Sequence, residues 1–107
     1  MENLNIKTID IQAKEWFDKV NGNSYFAAIA TINFGMTDEK TVKVPFQYGY
    51  GETYISEAVR QLQIDGILPN DKNVIFSPIR YIMEMGVILR TSKETKCTKS
   101  TVKSFIN

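Results

Sequence analysis

The chain predicts an α+β fold: an antiparallel sheet of about four strands with two helices on one face, in the order β-β-β-α-α-β. Three observations carry this. Segments 25–34 and 40–48 hold apolar residues at every second position, and only the five residues 35–39 separate them, as in a hairpin. After the glycines at 49 and 51 the spacing becomes helical, with Ile55, Ala58, Val59 and Leu62 on one stripe. Segment 87–91 then returns to β-branched residues. Both helices fall between the hairpin and this last strand, which sends them to the same face.

Each element has its own signal. Residues 4–11 make a β-branched opening strand with imperfect alternation. Gly22 between Asn21 and Asn23 marks a turn, because both residue types accept positive φ cheaply. In 25–34 the even positions Phe26, Ala28, Ala30, Ile32 and Phe34 are all apolar. The odd positions begin apolar and end polar, which suits a central strand covered on both faces at one end. Segment 40–48 sets Val42, Val44, Phe46 and Tyr48 on one face against Thr41, Lys43, Pro45 and Gln47 on the other. Pro45 has no N–H, so the strand is an edge there, or bulged. Counting outward from the loop brings Tyr25 and Tyr48 together within about one residue, ~3 Å of strand rise. A helix over 53–65 starts at a capping Thr53 and stops at Gly66 and Pro69. Ser77-Pro78 opens a shorter one. There Phe76 and Tyr81 stand in staple positions, Ile79, Ile82 and Met83 form the buried face, and Gly86 ends it.

All 107 residues read as one domain, in which 92–107 is a basic C-terminal segment with freedom to move. With no apolar run of 18 residues, no basic-then-apolar leader and one cysteine, the expected setting is the cytoplasm. Zero histidines remove Ser-His-Asp and Cys-His catalysis and the histidine-ligated zinc enzymes. Asp38-Glu39 reads as loop solvation and Cys97 as an inert thiol without a base beside it. The expectation is therefore no enzyme, no metal and no cofactor. Net charge is only +1, yet from Arg90 onward five cations face one anion, Glu94. The lysines 93, 96, 99 and 103 act either as guards of an edge strand or as phosphate contacts.

Two stretches break the ordinary pattern: Trp16-Phe17-Asp18-Lys19 running into Gly22-Asn23-Ser24-Tyr25, and Tyr48-Gly49-Tyr50-Gly51 followed by Tyr54 at a helix start. Over 16–58, about half the chain, these strings resemble a family of small phage and prophage proteins. That resemblance implies a phage-type accessory protein at work in the host cytoplasm.

In physical terms, glycines bring backbone close to a ligand, tyrosines stack on a base, and a helix start offers unpaired N–H groups. The spacing is not that of a phosphate loop: no lysine follows Gly51, and Glu52 opposes phosphate. Two functional readings follow. In the first, Asn21, Asn23, Ser24, Tyr25, Tyr48, Tyr50 and Tyr54 converge on a nucleotide-like small ligand and sequester it against host defence, with a second subunit available to complete the site. In the second, Lys93, Lys96, Lys99 and Lys103, with exposed tyrosines, grip nucleic acid or a host protein. Competing structural roles are a tight strand-to-helix turn packed by tyrosines, a turn capped by Asp18, and a core anchored by Trp16.

Overall fold

The computed structural model describes residues 5–69 and 77–106. It contains strands β1 (Thr8–Asp18), β2 (Asn23–Ile32) and β3 (Lys40–Tyr48), then helices α1 (Thr53–Ile64) and α2 (Pro78–Glu84). Strand β4 (Ile88–Glu94) and helix α3 (Lys99–Phe105) follow. The class is α+β, as the hydrophobic patterns predict. The sheet order is β3-β2-β1-β4. β1 and β2 pair antiparallel, as do β2 and β3, but β4 lies parallel to β1. The sheet is therefore mixed, not purely antiparallel. After β3 the chain crosses to the far side of the sheet through the helices, and it arrives at β1 pointing the same way.

The opening strand runs later than the β-branched signal suggests, Thr8–Asp18 in place of 4–11. Residues 1–4 lie outside the described part. Asp18 ends β1 by accepting from Val20 N at 3.0 Å and Asn21 N at 3.3 Å, and Gly22 takes the positive φ of 71° that the turn needs. At the sheet's opposite end Asn33 does related work. It is 1% exposed with φ 53°, and its side chain accepts from Lys7 N at 2.7 Å while donating to Asn5 O at 3.1 Å. A buried amide is tolerated because backbone groups satisfy it.

The core lies between the sheet and α1. Ile9, Ile11, Phe26, Ala28, Ala30, Ile32, Val42 and Val44 meet Ile55, Ala58, Val59 and Leu62 there. α1 matches its stripe, but its cap does not: Glu52 is the N-cap, without a side-chain capping bond, and Thr53 is already helical. Gly66, at φ 76°, ends the helix. Among the described side chains of α2 only Ile82 is fully buried; Ile79 is partly so and Met83 is 63% exposed, which narrows the buried face expected there. The staple involving Phe76 lies outside the described residues.

The two expected helices, α1 and α2, pack into the same core on one face, but a third helix lies on the other. α3, where sequence pattern gave a basic tail, crosses the side of the sheet opposite α1. Fully buried Val102 anchors it, with Lys14 Nζ 5.3 Å from the Phe105 ring centroid. Among the described residues, no helix is long and apolar enough to cross a membrane.

Candidate functional site: a ring row at the hairpin end

The second face of the sheet gains two of its rings through a single irregularity. Ala28 pairs with Val44, but Phe26 pairs with Gln47, so β3 gains one residue between them. Pro45 sits in that interval, on an edge strand, where its missing N–H costs no ladder bond. The extra residue inverts the alternation expected for 40–48. Val42 and Val44 enter the core under α1, whereas Phe46 and Tyr48 turn to the other face, beside Tyr25.

A continuous row of rings results. Trp16 stacks on Tyr25 at 5.5 Å, and Tyr25 lies parallel to Phe46 at 5.4 Å. Tyr48 meets Tyr25 edge-on at 6.0 Å, and Tyr50 meets Tyr48 edge-on at 6.4 Å. These are the separations and tilts that aromatic quadrupoles favour. α3 covers the inner part of the row with lysines. Lys99 Nζ stands 5.4 Å from the Trp16 ring centre and Lys103 Nζ 5.2 Å from that of Phe46. The outer part is open: Tyr48 is 56% and Tyr50 66% exposed.

The two turns lie side by side at one end of the sheet. Tyr25 and Tyr48 are direct cross-strand partners, and Gly49 N donates to Ser24 O at 3.0 Å, extending the pairing past the strand ends. Asn23 pairs with Asp18 at the same end of the sheet. Asn21 is a turn former, donating from Nδ2 to Asp18 Oδ2 at 2.9 Å. This bond from Asn21, opposed by desolvation and reinforced by the Asn21 and Val20 N–H groups and by Lys99, holds the Asp18 carboxyl below its ordinary pKa. Tyr54 does not join the row. It is 8% exposed in the core on the α1 side, with Lys93 Nζ 5.6 Å from its ring centre.

The glycines divide their labour. Gly51 takes φ 62°. Gly49 is needed for space, since a Cβ there would stand 2.6 Å from Phe26 Cε1 and 3.0 Å from Thr53 Cγ2. Its close approach is to the core and not to an open surface.

Nor do the four C-terminal lysines share a surface. Lys93 is engaged on the α1 side, 2.9 Å from Glu15 Oε1 and 2.8 Å from Gly51 O. Lys99 and Lys103 project from α3 over the rings, while Lys96 is exposed in the loop before α3 at φ 63°. Trp16 is half-buried in the ring row, not in the aliphatic core where it was expected. Phe46, Lys99 and Lys103 belong to this surface, and a one-residue bulge at Pro45 is the signal that would have placed Phe46 there. Among the described residues no group of three or more histidine, cysteine, aspartate or glutamate side chains is arranged to hold a metal.

No protein-family model matches the chain, and no curated protein and no solved structure matches it either.

Proposed function

We propose that this protein is a small, non-enzymatic, phage-type binding protein that takes a nucleotide-like ligand on the open end of its ring row. The base stacks on Tyr48 and Tyr50, and Tyr25 and Phe46 support them from below. Asn23 and Ser24 border the same end of the sheet. Sequestration of a host nucleotide signal is the use such a site would serve. The observation that carries this reading is the exposure of two tyrosines, 56% and 66%, inside an otherwise ordered ring row. A purely structural cap would favour burying these rings, whereas a stacking platform must leave them wet until a base arrives.

Calorimetry with the four ribonucleosides and their phosphates tests it. Each stacked base is worth about 1–3 kcal/mol, so Tyr48→Ala and Tyr50→Ala should each weaken binding by about 5- to 150-fold. Unchanged circular dichroism would show that the fold survives. Equal affinities in wild type and both variants, or no binding by any member of the panel, would overturn the reading. The nucleic-acid reading makes a different demand. Four phosphate-contacting lysines require a salt slope near −3.6, at about −0.9 per contact, but Lys93 is already held by Glu15.

A further inference from the structure

A second surface adjoins the ring row. β4 pairs with β1 only as far as Lys14, whereas β1 continues to Asp18. Cys97 N donates to Glu15 O at 3.1 Å, which pins the loop 95–98 alongside that unpaired stretch of β1. Between this loop and the β1–β2 turn runs a groove of about 830 Å³, whose lining includes Trp16, Lys19, Lys96 and Lys99. Its volume lies within the range of small-molecule sites.

Cations outnumber carboxylates in the lining of the groove, three to two. Among the described residues, Lys19, Lys96 and Lys99 make no ion pair. The two carboxylates in the lining are both occupied: Glu15 by Lys93 at 2.9 Å, and Asp18 by Val20 N, Asn21 N and Asn21 Nδ2 in the turn. Three cations with spare hydrogen-bonding capacity therefore border a cavity with an indole in its wall. Trp16 also begins the ring row, so the groove joins the tyrosine platform through Tyr25 in two ring steps of 5.5 and 6.0 Å.

The geometry points to this groove as the phosphate subsite of the ligand whose base stacks on Tyr48 and Tyr50, with Lys19 and Lys96 as its contacts, since Lys99 is already set over the Trp16 ring. This inference rests on the reading of the ring row as a base platform, and it names the ligand class as a nucleoside di- or polyphosphate. Such a molecule carries its ring and its terminal charge at opposite ends, as the two adjoining surfaces do. An ammonium is a compact charge that phosphate oxygens accept from strongly.

The test compares ribonucleosides with ribonucleoside diphosphates at low salt, in wild type and in the double variant Lys19→Ala/Lys96→Gly. Glycine is chosen at 96 because the backbone there is left-handed. In wild type the diphosphates should bind at least about tenfold tighter than the nucleosides, as two charge-assisted contacts require. That advantage should disappear in the double variant. An advantage that survives in the variant, or equal affinities for both ligand types in wild type, overturns the groove while leaving the ring row standing. Should no nucleoside or diphosphate bind, the platform reading fails and inorganic pyrophosphate decides the groove alone. A Trp16 indole N–H shift on adding pyrophosphate, seen in wild type and lost in the double variant, keeps it. No shift in wild type, or one that persists in the variant, removes it.

Discussion

One face of the sheet meets α1 with aliphatic side chains packed dry, and the other meets α3 with rings and lysines. The same three strands supply both. On the α1 side Ile9, Ile11, Ala30, Ile32 and Leu62 are all at 0% exposure. On the α3 side, among the described residues, only Ala27 and Val102 reach that level, and the row runs outward to tyrosines that are mostly solvated. One inserted residue at Pro45 contributes two of the rings to this difference. Because side chains alternate along a strand, that insertion moves Phe46 and Tyr48 from the core face to the ring face. A stable core and a wet aromatic surface can thus be built back to back, the first carrying stability and the second free to bind.

The comparison breaks most readily at Leu62. Truncating this fully buried side chain to alanine should cost about 2–5 kcal/mol, read from urea denaturation. Tyr48→Ala, on the open part of the ring row, should lose about 0.5–1.5 kcal/mol, the worth of an edge-on ring pair. Similar losses for the two variants would mean that both faces are core. Gly49 marks the junction between the faces. Adding a methyl group there drives into the Phe26 ring and Thr53, so Gly49→Ala should lose about 1–3 kcal/mol. A Gly49→Ala protein as stable as wild type would show that Phe26 is free to move aside.

Much of this architecture was legible from spacing. Counting along the hairpin placed Tyr25 within about one residue of Tyr48, its partner in the sheet, and the stripe Ile55, Ala58, Val59 and Leu62 placed α1, because local periodicity determines both. Three features were not legible, each for its own reason. The parallel β4 depends on which edge the returning chain reaches, and that is a tertiary choice. α3 carries little apolar signal: Val102 and Phe105 are the residues that hold it, among lysines, threonines and serines that read equally well as a tail. The side to which Phe46 points depended on a bulge whose occurrence, but not whose consequence, was suggested by Pro45. In the site, Asn23, Ser24, Tyr25, Tyr48 and Tyr50 gather at one end of the sheet. Tyr54 does not, because the first turn of α1 directs it into the core.

Two smaller effects sharpen the contrast at the rim of the ring face. Lys96 adopts φ 63°, which costs an L-residue about 1–2 kcal/mol. Lys96→Gly should therefore raise the melting temperature even as it removes a charge from the groove; a lower melting temperature would mean that the lysine side chain itself holds the loop. Asp18 provides the gentlest probe. Its folded pKa lies below the unfolded value, so its contribution is present above the unfolded pKa near ~3.9 and is lost as pH falls through the folded pKa. Thermal melts of wild type and Asp18→Asn should differ modestly at neutral pH and converge in acid. A gap that widens on acidification would contradict the turn bonds as its source.

The most direct measurement is a two-dimensional NMR titration of the isotopically labelled protein with the four ribonucleoside diphosphates. If the ring face is the binding face, shifts will concentrate at Asn23, Ser24, Tyr25, Phe46, Tyr48 and Tyr50, and α1 and α2 will stay silent. Shifts gathered instead around Ile79 and Met83 of α2, or no shifts at millimolar ligand, would contradict the assignment of binding to the ring face.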